Sequence, residues 1–460
     1  MNKKFLPGAV LFIIAIAFSN LAFLPQVKAV SDTNTFYGTG AGNDTTTGIQ
    51  NSAFGNSALH SDTTGDYNTA SGFGALYSNS TGNSNTAAGD GALYVNSTGD
   101  DNTANGFQAL FLNTTGNYNT ASGYQALANN GTGDSNTASG TNALYSNTTG
   151  HWNTASGYRS LASNINGNNN TASGIFALED NTNGDNNTAI GDAALADNTI
   201  GSNNTASGIA ALRFNTTGNY NLASGYQALL SNTTGTLNAA NGALALYSNT
   251  IGSFNTATGP GALFANTTGS NNVALGLTAG FALTTGSNNI CIGAGVNGVA
   301  GESNTTRIRN IYTTVANGRA VYVNADNKIG TLSSSRRFKH DIQPMNASSE
   351  SLFALKPVIF RYNKDADPSQ ALSFGLIAED VAEISPELIT RDEEGKPQTV
   401  RYEAVNAMLL NEFLKEHKTI AQLKSTIAQQ QRAIEQLATQ MQKVSAQVQL
   451  NDAPAVAANR

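Results

Sequence analysis

Cysteine is all but missing from this chain of 460 residues: Cys291 stands alone, which excludes an intramolecular disulfide framework. The four histidines, His60, His151, His340 and His417, show no metal-ligand spacing among themselves or with Cys291, so neither a structural metal nor any cofactor is expected. Charge is thin. Only 12% of residues are charged while 46 are glycine, whereas an ordinary globular enzyme carries about a quarter charged residues. Basic side chains nearly vanish between residues 34 and 294, where Arg159 and Arg213 face 12 acidic residues, and that balance excludes a nucleic-acid partner.

Long apolar runs are missing after the N-terminus, so no later segment is expected to span a membrane. The N-terminus itself places Lys3-Lys4 before the stretch "AVLFIIAIAFSNLAFL" and ends at Val27-Lys28-Ala29. Positive, apolar and small-residue regions in that order predict a signal peptide over residues 1–29, cleaved after Ala29, and hence a secreted or cell-surface protein. Against an uncleaved anchor, the stretch is shorter than the ~20 residues a spanning helix needs, and Pro25 interrupts its end.

What the chain has in abundance is repetition. Asparagine recurs every 17 residues from Asn34 to Asn289, giving 16 units without insertion or deletion. In a unit such as "NTASGYQALANNGTGDS" (119–135), the fifth position is glycine in every copy, Gly38 to Gly293. The third is alanine from Ala53 to Ala274 and then Cys291, which reads as a small core side chain rather than a reactive thiol. The ninth is leucine in 13 successive units, Leu59 to Leu263, preceded by alanine except at Ser160. So few apolar positions cannot bury a core within one unit, so the units must stack. Glycine at position 15 and the neighbouring Asn-Thr-Thr supply turn chemistry, while "NNVALG" and "NNICIG" alternate as a short strand does. The expected fold over residues 30–294 is therefore mainly β: one coil of a β-roll or β-solenoid per repeat.

Two motifs in this region are weaker than they look. The many Asn-X-Thr triplets match glycosylation acceptors, but a turn that needs Asn and Thr in every unit generates them. "GAGVNG" at 293–298 fits a dinucleotide-binding glycine pattern without the strand and helix that would make it one. Tyr67, Tyr118, Trp152, Tyr220 and Phe254, at turn positions, are read as packing against the adjacent coil; stacking on sugars is the competing reading.

Composition shifts after residue 294. Residues 295–333 alternate β-branched and aromatic residues with Asn-Gly and Asp-Asn turns, which predicts a β-rich neck. Residues 334–415 have an ordinary globular composition and read as a small α+β domain. Residues 416–450 form a coiled coil by count, with Ile420, Ile427, Ile434, Met441 and Val448 at one heptad position and Leu423, Gln430, Leu437 and Val444 at the other. Asn406, Leu409 and Phe413 extend the seam backwards, and residues 451–460 read as a disordered tail. Isoleucine with leucine in those core positions favours two strands.

"NVALG" and "NICIG" resemble the repeats of trimeric autotransporter adhesin heads, which implies a homotrimer of β-rolls; a single-chain solenoid is the other arrangement the repeats allow, and the coiled-coil core leaves dimer against trimer open. The C-terminal third resembles the endosialidase-type intramolecular chaperone domain of phage tail spikes and fibres. That resemblance rests on Ser334-Ser335-Arg336-Arg337-Phe338-Lys339-His340-Asp341-Ile342, on the Phe-Gly-Leu-Ile-Ala-Glu-Asp-Val block at 374–381, and on the coiled coil that follows. It implies a domain that assists trimer assembly and then cuts itself off, with Ser334 as nucleophile, Lys339 as base and Ser333-Ser334 as the scissile bond. Ser335 stands where members usually carry Asp. The expectation is thus an adhesin-like fibre bearing a single-turnover serine peptidase that has no external substrate. Its external partner would be a cell-surface glycan or protein. The competing readings are a glycan-degrading spike, which needs paired carboxylates where the repeats offer only scattered Asp100, Asp101 and Asp185, and an inert spacer.

Overall fold

The computed structural model describes residues 33–45, 47–310, 321–323, 328–331, 333–392 and 394–451. The expected signal peptide lies outside the described residues, as does the expected tail apart from Asn451. The chain divides into two compact units, residues 1–313 and 314–460.

The first unit is a parallel β-solenoid of about 16 turns. Each coil contributes one three-residue strand, from β1 (Thr35–Tyr37) and β2 (Ser52–Phe54) through β16 (Ile290–Ile292), and each strand pairs in parallel with the next. The register is repeat on repeat, for example Thr120↔Thr137, Ala121↔Ala138 and Ser122↔Ser139. One further strand, β17 (Thr306–Ile308), adds to β16, so the solenoid runs beyond the expected boundary at 294. Outside the strands the stacking continues through backbone bonds, such as Leu127 N–H to the Ala143 carbonyl at 2.8 Å and Gln125 N–H to the Phe107 carbonyl at 2.8 Å. Backbone pairing therefore joins the coils beyond the strands as well as within them.

Each coil closes its own interior within one chain. Ala121, Ala126 and Leu127 are fully buried, and so are their equivalents from Ala53 to Ala274, with Cys291 completing the row. Burial raises the Cys291 thiol above its usual range, as expected of a small core filler. The interior is also heavily polar. Asn119 Nδ2 donates to Asn102 Oδ1 at 3.1 Å and to the Gly133 carbonyl at 2.8 Å. A second buried ladder, Asn79 to Asn266, runs beside it: Asn130 Nδ2 donates to Asn113 Oδ1 at 2.7 Å and to the same Gly133 carbonyl at 2.8 Å. Amides suit this role because each carries donor and acceptor, so a column of identical residues satisfies itself. Glycine closes the coil where backbones touch. A Cβ on Gly123, at φ 137°, would sit 2.6 Å from the Gly140 carbonyl oxygen.

In the second unit, β18 (Tyr322–Val323) pairs antiparallel with β19 (Ile329–Gly330). Two more antiparallel pairs follow, β20 (Val358–Phe360) with β21 (Ser373–Gly375), and β22 (Ile389–Arg391) with β23 (Pro397–Val400). Helix α1 (Ala378–Ile384) lies between these pairs in sequence, and α2 (Tyr402–Asn451) ends the described chain. Its core is small: Val381, Leu388, Ile389, Val400, Val405 and Met408. Helix α2 runs unbroken for 50 residues, so the expected division at 415/416 falls inside one helix, whose first turns pack in the domain core.

Candidate functional site

The junction is built on one short turn. Ser333–Ser335 are exposed, with Ser335 extended, Arg336–Phe338 form a 3-10 turn, and Lys339 follows it with its N–H donating to the Arg336 carbonyl at 3.0 Å. The Arg337 guanidinium lies 4.7 Å from the centre of the Phe338 ring, and His340 Nδ1 lies 2.8 Å from Asp341 Oδ2. Ser334 and Lys339 thus stand on either side of the turn, and neither hydroxyl nor ammonium has a hydrogen-bond partner among the described residues. The single chain presents the segment without burying it.

The downstream block is structural. Phe374-Gly375 end β21, and a Cβ on Gly375 would lie 2.7 Å from the Tyr402 hydroxyl, so a larger residue would push aside the ring whose hydroxyl accepts the Leu376 N–H at 2.9 Å. Val381, on α1, enters the core, while Glu379 and Asp380 occupy the first helical turn, where carboxylates complement the helix dipole. Residues 346–354 are tied to α2 by polar contacts: Asn411 Nδ2 donates to Ser349 Oγ at 2.6 Å, Ser349 Oγ donates to Glu412 Oε1, and Lys415 Nζ reaches Glu412 Oε1 at 2.7 Å. Hydrogen bonds from Lys415 and then Ser349 hold the Glu412 carboxyl below its usual range.

Residues 334–390 match a family model described as chaperone of endosialidase. The match begins at Ser334 and covers the junction, β20, β21, α1 and the start of β22. A β-solenoid followed by this chaperone domain fits a tail-fibre- or spike-like protein, and the family is autoproteolytic. No curated protein and no solved structure matches the chain.

An apolar surface completes the picture. A cleft of about 490 Å³ is lined by Leu352, Val358, Phe374, Tyr402, Val405 and Leu409, among others. Along α2 the seam residues Leu409, Phe413, Ile420, Leu423, Ile427, Ile434, Leu437, Met441, Val444 and Val448 are all exposed. Two of the three carboxylates named for a glycan-cleaving reading hold backbone amides instead: Asp100 Oδ1 accepts the Asn83 N–H at 2.7 Å, and Asp185 Oδ1 accepts the Asn168 N–H at 2.7 Å. The sequence reading missed the buried asparagine ladders, although the constancy of asparagine at the twelfth position from Asn79 to Asn266 was a visible signal.

Proposed function

We propose that the chain is one third of a secreted or surface-exposed, adhesin-like fibre, assembled as a homotrimer by its C-terminal domain, which then releases itself by one cut between Ser333 and Ser334. The observation that carries this reading is the apolar seam of α2, which the single chain leaves in water over ten named positions. A surface of that extent marks an interface, and supercoiling against identical helices would bury it. Gln430 in the seam is the polar position that would fix register.

In this reading Ser334 Oγ attacks the carbonyl carbon of Ser333, its own neighbour, and Lys339 Nζ takes the hydroxyl proton and returns it to the departing Ser334 nitrogen. The resulting Ser333 ester is hydrolysed by water, leaving a carboxylate on Ser333 and a free hydroxyl on Ser334. A lysine acts as a base only where burial or nearby cations hold off its proton. Lys339 is exposed in the single chain, so neighbouring chains would have to complete the site, and cutting would follow assembly. The test is intact-mass measurement on purified protein. Wild type should yield a fragment beginning at Ser334, and Ser334→Ala and Lys339→Ala should stay whole. A folded wild-type protein that never cleaves would remove the peptidase claim.

A further inference from the structure

The solenoid's aromatic side chains occupy several repeat positions, exposed ones at the sixth among them (Phe73, Tyr124 and Tyr226), and two positions contrast most clearly. At the tenth position of the repeat, rings stack coil on coil: Tyr77 on Tyr94 at 4.9 Å, Tyr94 on Phe111 at 5.1 Å, Tyr247 on Phe264 at 5.1 Å. These rings are half-buried and pack against one another. The seventeenth position behaves differently. Tyr67, Tyr118, Trp152, Tyr220 and Phe254 are 57, 65, 61, 60 and 55% exposed, which overturns the packing reading for them. Among the described residues only Trp152 of these five has a ring neighbour, His151 at 5.5 Å.

Their backbone makes the choice of residue costly. All five have positive φ, between 56° and 60°, a region where bulky side chains are strained and asparagine is tolerated. Asparagine does hold the same position in other coils, at Asn169, Asn186, Asn203, Asn271 and Asn288. Large rings placed there gain little burial and carry a conformational cost, so stability does not explain them.

Spacing and charge indicate a ligand. Tyr67 lies three coils before Tyr118 and is out of step with the rest, whereas Tyr118 and Trp152 are two coils apart, Trp152 and Tyr220 four, and Tyr220 and Phe254 two. At ~4.8 Å per coil these steps are about 10, 19 and 10 Å. In an extended β-1,4-linked polysaccharide successive rings are flipped, so the same sugar face recurs at every second residue, an advance close to two coils. Thr120, Thr154 and Thr256, two residues after three of the rings, are exposed and able to bond sugar hydroxyls. The excess of 12 acidic over two basic residues between 34 and 294 repels polyanions and leaves neutral chains.

We infer that Tyr118, Trp152, Tyr220 and Phe254 form a stacking strip for a neutral β-1,4-linked glycan lying along the solenoid. Each ring supplies an apolar platform for one sugar face. The strip stands independently of the assembly reading.

Trp152 is the sole tryptophan, so its fluorescence reports binding directly. Titrating the full chain with cellohexaose or chitohexaose should give a saturable change, with maltohexaose and polysialic acid inert. Tyr118→Asn should raise Kd roughly three- to tenfold, the range expected for one lost aromatic contact. Because asparagine suits the backbone there, the same variant should unfold at the same temperature as wild type or higher. The proposal is overturned if neither β-1,4-linked hexasaccharide gives a saturable change, or if Tyr118→Asn leaves Kd unaltered. It is equally overturned if Tyr118→Asn shifts the sedimentation coefficient, because the strip is then a contact between chains.

Discussion

Asn79 Nδ2 donates to Asp62 Oδ1 at 3.0 Å, and there the second asparagine ladder ends in a buried carboxyl. Asp62 replaces the asparagine found in the next twelve coils, and Thr45, one coil earlier, leaves a buried Oγ1 without a partner among the described residues. Burial pushes the Asp62 carboxyl up to about 7, against the hydrogen bonds from Asn79 and Gly65, with Asp66 nearby raising it further.

That shift makes the N-terminal coils pH-sensitive. The folded state keeps a proton that the unfolded chain releases near pH 3.8, so this group's contribution to stability is greatest below that pH and falls as pH rises to about 7. The full loss is at most about 4 kcal/mol. Asp62→Asn should abolish this dependence and give the unpaired Thr45 Oγ1 a donor. Thermal unfolding of both proteins at pH 5 and pH 8 checks it: the variant should gain most at pH 8, and an equal gain at both values would refute the titration.

Interior asparagines should matter more than their polarity suggests. Asn130→Ala strips a partner from Asn113 Oδ1 and Asn147 Nδ2 and reduces the bonding of the Gly133 carbonyl, all buried. Removing a buried partner costs about 1–3 kcal/mol per stranded group, so a loss of about 3 kcal/mol is expected. Ser135→Ala, at a half-buried bend outside the ladder, should stay within about 0.5 kcal/mol. Denaturant midpoints of the two variants should differ clearly; equal midpoints would mean the ladder carries no stability.

The seam can be broken without touching the solenoid. Ile427→Asp with Ile434→Asp puts unpaired charge into the proposed interface, and such burial costs several kcal/mol per ion. The double variant should sediment as smaller species and should also fail to cleave if cutting follows assembly. Cleavage at the wild-type rate in a monomeric variant would separate the two events.

How much of this was legible depends on where the information resides. The 17-residue period, Gly123 and its equivalents, the Ala121/Leu127 core and the heptads of α2 were readable because each is a local pattern with a fixed spacing. Asn119 and Asn130 looked like turn residues, since hydropathy counts an amide as polar whether it faces water or a column of its own kind. Leu127 at φ 54° was likewise hidden, because propensity assigns leucine no left-handed role. Ser334 and Lys339 were found as sequence neighbours, yet the surroundings that would make one a nucleophile and the other a base are not local to the chain.

The most direct measurement is native mass spectrometry of the uncut Ser334→Ala protein. The account predicts one dominant species of three chains, which Ile427→Asp with Ile434→Asp dissociates. A stable, folded monomer at micromolar concentration would contradict it, since the exposed seam from Leu409 to Val448 would then have no partner and the chaperone no assembly to drive.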